Sequence, residues 1–273
     1  MGLLLLYAFT ILSVTGFAIF GLHPERLAGL DPSALQFYSV AFRFFAVGQV
    51  ILAALVMLHF LTRHAGWKWL PAFGALYTIS LTSELLGTTY GFPFGTYSYS
   101  AALNPMWLER VPVGIPLSWF YMALPSYAIA SRILGNRDNL FARIGVASLF
   151  LLAWDLALDP AMSSATKYWE WGETGPYYGM PLLNLFGWYI TGIVLMAALA
   201  ALNRNEWIAR LPVHWLVAFY GANLLLALGM SVAAGLWLAV AFTIAALIVI
   251  SATSMMLAVR TTSISQVNPV PGS

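Results

Sequence analysis

Three acids and one guanidinium stand inside apolar runs of this chain: Glu84, Asp155, Asp159 and Arg43. Asp155 and Asp159 are four residues apart in Trp154-Asp155-Leu156-Ala157-Leu158-Asp159-Pro160. That is about one helical turn, so both carboxyls project from one helix face. The surrounding segment, 141–162, is long enough to cross a bilayer, where ionisable groups are costly and usually face a bundle interior. One arginine cannot neutralise three carboxylates away from water, so at least one acid is expected to keep its proton at neutral pH. A neutral carboxylic acid in an apolar pocket is a Brønsted acid, and the weak base a membrane offers it is an alkene of a lipid or isoprenoid. Protonating a trisubstituted isoprenoid double bond gives a tertiary cation, which Trp and Tyr faces stabilise by ~0.5–2 kcal/mol each. A second, ionised carboxylate can then orient or deprotonate water. Hydration of an isoprenoid end is one chemistry these residues suit. A proton relay in a lipid or small-molecule transporter is another. A structural pair satisfied by Arg43, backbone amides or water is a third.

The elements that must position these groups are membrane helices. The chain has 273 residues, 61% hydrophobic and 8% charged, with a mean hydropathy of +0.81, against about 25% charge in soluble domains. Polar breaks delimit eight expected spans, 2–21, 34–61, 69–90, 112–134, 141–162, 179–202, 211–229 and 231–258. The weak break at Gly229-Met230-Ser231 leaves a seven-span reading open. The first run has no basic residue before it and no small-residue cleavage site, so it reads as a span rather than a signal peptide. The polar tail 261–273, with two prolines, reads as disordered, leaving 1–260 as a single transmembrane catalytic domain.

Positive charge orients the bundle. Even connections and their flanks carry Arg63, Lys68, Arg132, Arg137, Arg143, Arg204 and Arg210, whereas odd ones carry Arg26, Arg110 and Lys167. Even loops, and with eight spans both termini, are therefore expected on the cytoplasmic side of the cell membrane. All four ionic residues then fall in the outer half of the bilayer, as one shared site requires. Tyr77, Ser80, Glu84, Gly87 and Thr88 follow helical spacing on span three, and Gln36, Ser39 and Arg43 do so on span two. On span six the stripe is Met180, Asn184, Gly187, Trp188 and Thr191. The odd loops carry the aromatic stretches, among them Tyr97 and Tyr99, then Tyr168 to Trp171, then Tyr177 and Tyr178. These rings read either as cavity lining or as an interfacial belt.

Several classes fall away. There are no cysteines, hence no disulfide, zinc–thiolate site or thiol nucleophile. The four histidines show no H-x3-H spacing for a di-iron site. Both lysines flank spans, which removes a Schiff base within a helix. No Gly-rich nucleotide loop or Gly-x-Ser-x-Gly elbow is present, and no basic block suggests nucleic acid.

Taken together, Glu84 with Gly91-Phe-Pro-Phe-Gly-Thr-Tyr97, the Asp155-x3-Asp159-Pro160 pair, Trp169-x-Trp171 and Tyr177-Tyr178-Gly179-x-Pro181-x2-Asn184-x2-Gly187-Trp188 resemble the membrane-integral carotenoid hydratases, over roughly residues 35 to 260. These are of the γ-carotene 1′-hydratase and bisanhydrobacterioruberin hydratase type. The resemblance implies a cofactor-independent, metal-free hydro-lyase that adds water to the terminal C1,C2 double bond of an acyclic or monocyclic carotenoid, giving a tertiary 1-hydroxyl. Its partners would be a carotenoid within the bilayer and the membrane lipids. By the same resemblance Glu84, Asp155 and Asp159 are the catalytic acids, with the proton donor among them left open. Arg43, Tyr97, Trp154, Tyr177, Tyr178, Asn184 and Trp188 are expected to bind substrate or support the acids.

Overall fold

The structure is a computed structural model that describes residues 1–135 and 139–267, with side chains placed for all of these except Asn205 and 258–267. Among the described residues it is mainly helical. The α-helices are α1 (Gly2–Gly16), α2 (Pro32–Ala65), α3 (Leu70–Tyr90), α4 (Gly114–Leu134), α5 (Leu140–Asp159), α6 (Leu182–Leu202), α7 (Val213–Ala233) and α8 (Trp237–Val267). Backbone polar groups cannot be left open in hydrocarbon, which is why apolar stretches of this length close into helices. Among the described residues, six segments are long and apolar enough to cross a membrane: Gly2–Gly21, Pro32–Ala65, Leu140–Ala165, Leu182–Leu202, Val213–Ala233 and Trp237–Leu257. This is a multi-pass membrane protein. The helices α3 and α4 lie outside that set. α3 carries Glu84 and several hydroxyls, and α4 is buried almost without interruption from Pro116 to Ala128.

The expected boundaries agree with these helices to within a few residues, except that α8 starts six residues later than anticipated and runs on through Val267. Helix thus covers part of the tail expected to be disordered. The rest of that tail, and Arg137, lie outside the described residues. Between α7 and α8 the chain breaks fully at Ala234-Gly235-Leu236, where Gly235 takes a left-handed φ of 70°, so Gly229-Met230-Ser231 is helix interior rather than the boundary.

α5 is central, packing against α4, α6, α7 and α8. Its last turn is followed by a π-helical segment, Pro160–Ala165. Proline has no N–H to return to the carbonyl four residues back. That carbonyl, Leu156 O, accepts from the Tyr177 hydroxyl at 2.7 Å, and the Ala157 carbonyl accepts from Ser231 Oγ at 3.0 Å. The helix end carrying both aspartates is therefore pinned from two other elements.

Two small sheets cap one end of the bundle. Strand β1 (Tyr97–Tyr99) pairs antiparallel with β4 (Trp169–Trp171), Tyr97 opposite Trp171 and Tyr99 opposite Trp169. Between them in sequence, β2 (Met106–Trp107) pairs with β3 (Val111–Pro112). The β1–β4 ladder ties the loop after α3 to the loop after α5, so both aromatic loops lie at the same end. The turn before β1 sinks between α3 and α6. Phe94 is buried there, and a Cβ on Gly87 would stand 2.9 Å from its ring and 2.7 Å from the Tyr97 hydroxyl. A Cβ on Gly187 would stand 2.6 Å from the same ring. Only glycine at both positions lets the loop reach this depth.

Candidate active site

At the capped end, Glu84, Asp159 and Asn184 line one small cavity of about 40 Å³, with Tyr97, Tyr99, Trp119, Trp169, Trp171 and Trp188 among its walls. Glu84 is buried. Its Oε2 accepts from the hydroxyls of Tyr97 and Tyr99, the latter at 2.8 Å, and its Oε1 accepts from Trp119 Nε1 at 2.9 Å. Burial, followed by the nearby Glu84 carboxylate, holds both phenols well above the usual tyrosine range, so they keep their O–H groups as donors. Three donors from a strand and a neighbouring helix thus fix one carboxyl of α3.

The two aspartates share one amide. Asn184 Nδ2 lies 3.2 Å from Asp159 Oδ2 and 3.4 Å from Asp155 Oδ2, and 2.9 Å from Met180 Sδ. An amide nitrogen has two hydrogens for these three acceptors. Asp159 Oδ1 also accepts from Ser163 Oγ at 2.9 Å and from Trp171 Nε1 at 3.3 Å. The π-helical segment after Pro160 places Ser163 back over Asp159. Asp155 sits one turn deeper, fully buried, and its Oδ1 has no hydrogen-bond partner among the described residues.

A second, larger cavity of about 440 Å³ adjoins the first, sharing Ile115, Ser118, Leu158 and Trp169 as walls. Its lining is mostly apolar, from α1, α2, α4, α5 and α7. Along α2 it runs from Ala34 to Val50, about 24 Å at 1.5 Å per residue. Leu12, Phe20, Leu30 and Phe37 belong both to this lining and to the exposed surface, so the cavity opens sideways between α1 and α2, where a membrane helix faces lipid.

The expected site residues divide. Glu84, Asp159, Asn184, Tyr97 and Trp188 come together around the small cavity. Asp155 joins them through Asn184, and Trp154 lines the large cavity with its ring edge-on to Trp188 at 6.0 Å. Arg43 does not join. It is exposed, forms no salt bridge to the acids and lies outside both cavities. The α2 face toward the cavity is Tyr38, Ala41, Phe42, Phe45, Ala46 and Gln49, and Arg43 lies about a third of a turn away from it at 100° per residue. Gln36 and Ser39 are likewise exposed. Tyr177 and Tyr178 are outside the cavity walls too. Tyr177 holds the Leu156 carbonyl, and the Tyr178 hydroxyl accepts from the Leu238 N–H at the start of α8 at 3.1 Å.

Trp119 and Ser163 were not among the expected site residues, and of the loop rings left between cavity lining and interfacial belt, Tyr99, Trp169 and Trp171 line the small cavity. The one available signal for Trp119 was an indole well inside span four, away from either interface. Its N–H needs a buried acceptor, and Glu84 is that acceptor, while its ring stacks on Trp188 at 3.9 Å. Among the described residues, no group of three or more His, Asp or Glu side chains is placed to hold a metal ion.

A buried acid cluster beside a long, mostly apolar cavity marks this helical membrane protein. Residues 45–250 match the family model described as carotenoid biosynthesis protein, so the chain belongs to that family. The chain is 33% identical over 165 residues to bisanhydrobacterioruberin hydratase of Haloarcula japonica, a match covering 60% of this chain and 54% of the relative. The match therefore spans about half the relative's length. No solved structure matches.

Proposed function

We propose that this chain is a carotenoid hydratase that adds water to the terminal C1,C2 double bond of an acyclic or monocyclic carotenoid. The observation that carries the reading is the adjacency of the two cavities, which share Ile115, Ser118, Leu158 and Trp169 as walls. A polyene entering from lipid along α2 meets carboxyls only at its end. The hydratase named above is 33% identical over the matched region, which supports the same class of reaction.

In this mechanism the aspartate pair carries one proton between its two carboxyls. Among the described residues neither aspartate has a salt-bridge partner, and two carboxylates around one amide repel. Asp159, the member of the pair on the cavity wall, gives the proton to C2. The C1–C2 π pair forms the new C–H bond and leaves a tertiary cation at C1. The rings of Trp119, Trp188 and Trp169 lie on the walls around that position, where aromatic faces favour a cation. Water adds its oxygen to C1, and the excess proton returns to the Asp159 carboxylate. The net change is addition of one water, with the enzyme restored. Glu84 is fixed by three donors on the cavity wall, where its oxygen lone pairs favour positive charge on the substrate. Asn184 positions the aspartates.

The same reading places the acids in the outer half of the cell membrane, with eight spans, both termini cytoplasmic and 1–260 as one catalytic domain. The test is expression in cells that make lycopene. The expected outcome is a pigment heavier by one water, absent with Asp159→Asn. Unchanged pigment with a well-expressed protein would overturn the proposal.

A further inference from the structure

The small cavity has the size and the hydrogen-bonding character of a water site. Its volume of about 40 Å³ has room for about three waters at ~10–15 Å³ each. Most polar hydrogens on its wall are already used. Tyr97, Tyr99 and Trp119 give theirs to Glu84. Trp171 donates to Asp159, and Asn184 to Asp159 and Asp155. Ser118 donates its one hydroxyl hydrogen to the Ile115 carbonyl at 2.8 Å. What the oxygens of Ser118, Glu84 and Asp159 still offer is lone pairs. The molecule that suits such a wall brings its own hydrogens and keeps its lone pairs free, which is how an attacking water must lie.

Of these groups, Ser118 is the one that also meets the substrate's space. It walls both cavities together with Ile115, Leu158 and Trp169, and among those four it brings the one side-chain oxygen. Ile115 and Tyr121, three residues to either side of it on α4, line the large cavity as well, so this face of the helix is turned toward the polyene's route. Asp159 is a wall of the same small cavity. In a space of a few waters, one molecule reaches walls on both sides. A held water needs two or more polar partners, and Ser118 Oγ and the Asp159 carboxyl supply them.

We propose that the small cavity stores the attacking water and that Ser118 Oγ, with Asp159, orients it toward the substrate, an inference that rests on the hydratase reading. Once Asp159 has given its proton to C2, the water donates one hydrogen to Ser118 Oγ and the other to the Asp159 carboxylate. Its lone pair is left pointing at C1, presented at the wall the two cavities share. As the C–O bond forms, the hydrogen on the Asp159 side passes to that carboxylate. Ser118 gains and loses no proton; it is a positioning residue for the nucleophile. Hydrogen and hydroxyl thus arrive from the same chamber.

Withdrawing the serine oxygen should separate protonation from capture. In D2O, acid transfer puts deuterium on C2. When the uncaptured cation returns the original hydrogen to Asp159, labelled alkene is recovered without net hydration. The experiment incubates the full-length protein in lipid nanodiscs with lycopene in D2O and follows two products by mass, hydrated pigment and deuterated lycopene. It compares Ser118→Thr with Ser118→Val, side chains of nearly equal shape that differ in the hydroxyl. The Thr variant should hydrate within a few-fold of wild type. For the Val variant, hydration should fall about a hundredfold, the scale of a misplaced reactant, while deuterium enters the recovered lycopene. Equal hydration by the two variants overturns the inference, as does loss of exchange together with hydration in the Val variant. If the wild-type protein binds lycopene but neither hydrates nor exchanges it, the hydratase reading itself fails.

Discussion

At the level of single residues, the acids differ in how they are held, and the difference predicts different mutant behaviour. Asp159 touches the cavity and accepts from Ser163, Trp171 and Asn184. Asp159→Asn keeps the shape and removes the transferable proton, so hydration should drop by about 10²–10⁴-fold, the usual weight of a general acid, with thermal stability little changed. Glu84 is fixed by Tyr97, Tyr99 and Trp119. Trp119→Phe keeps the stacked ring on Trp188 but withdraws one N–H from a buried carboxyl. A loss of ~1–3 kcal/mol is expected, read as a lower unfolding temperature in detergent. The residues were legible in unequal measure. Carboxylates in apolar runs stand out because burying them is costly. Trp119 does not, because an indole in a membrane helix is ordinary until its hydrogen-bond partner is known.

At the level of elements, the site depends on a loop pressed into the bundle and a helix end held in register. Gly187→Ala would set a methyl 2.6 Å from Phe94 and 2.7 Å from the Pro93 carbonyl. The loop must lift, carrying the Tyr97 hydroxyl away from Glu84. Activity should fall at least about tenfold, since ångström-scale displacement of an oriented group is that costly, while pigment still enters the larger cavity, as measured by copurified colour. Tyr177→Phe removes the donor to the Leu156 carbonyl that Pro160 cannot serve. It should lower stability by ~1–3 kcal/mol and reduce activity through the looser Asp155–Asp159 turn. Helical spacing brought Asp155, Asp159 and Asn184 to light. The β1–β4 ladder, whose strands are three residues each, left no period long enough to detect.

At the level of the whole molecule, the proposed function assigns the reaction and the substrate's route to two different cavities. The small cavity is walled largely by aromatic rings and carries Glu84, Asp159 and Asn184. The large one is lined mostly by apolar and aromatic side chains and opens between α1 and α2. Ala41 lies on its wall, so Ala41→Trp would grow into free volume rather than into packed core. It should leave folding intact and reduce polyene binding about tenfold or more by filling the channel, checked by the visible absorption of pigment bound to the purified protein.

The sequence by itself determined the class of environment, the approximate extents of eight helices and the placing of Glu84, Asp155, Asp159 and Asn184 at one end of the bundle. These follow from composition and from the 3.6-residue period, which are local properties of a chain that must satisfy its backbone in lipid. Only the tertiary structure decided which face of α2 turns inward. It excluded Arg43 from the site, admitted Gln49 to the cavity wall and gave Glu84 to Trp119. Rotation of a helix about its own axis is set by what its neighbours bury. For α2, whose polar stripe and cavity stripe both satisfy helical spacing, no count of residues along the chain contains that information.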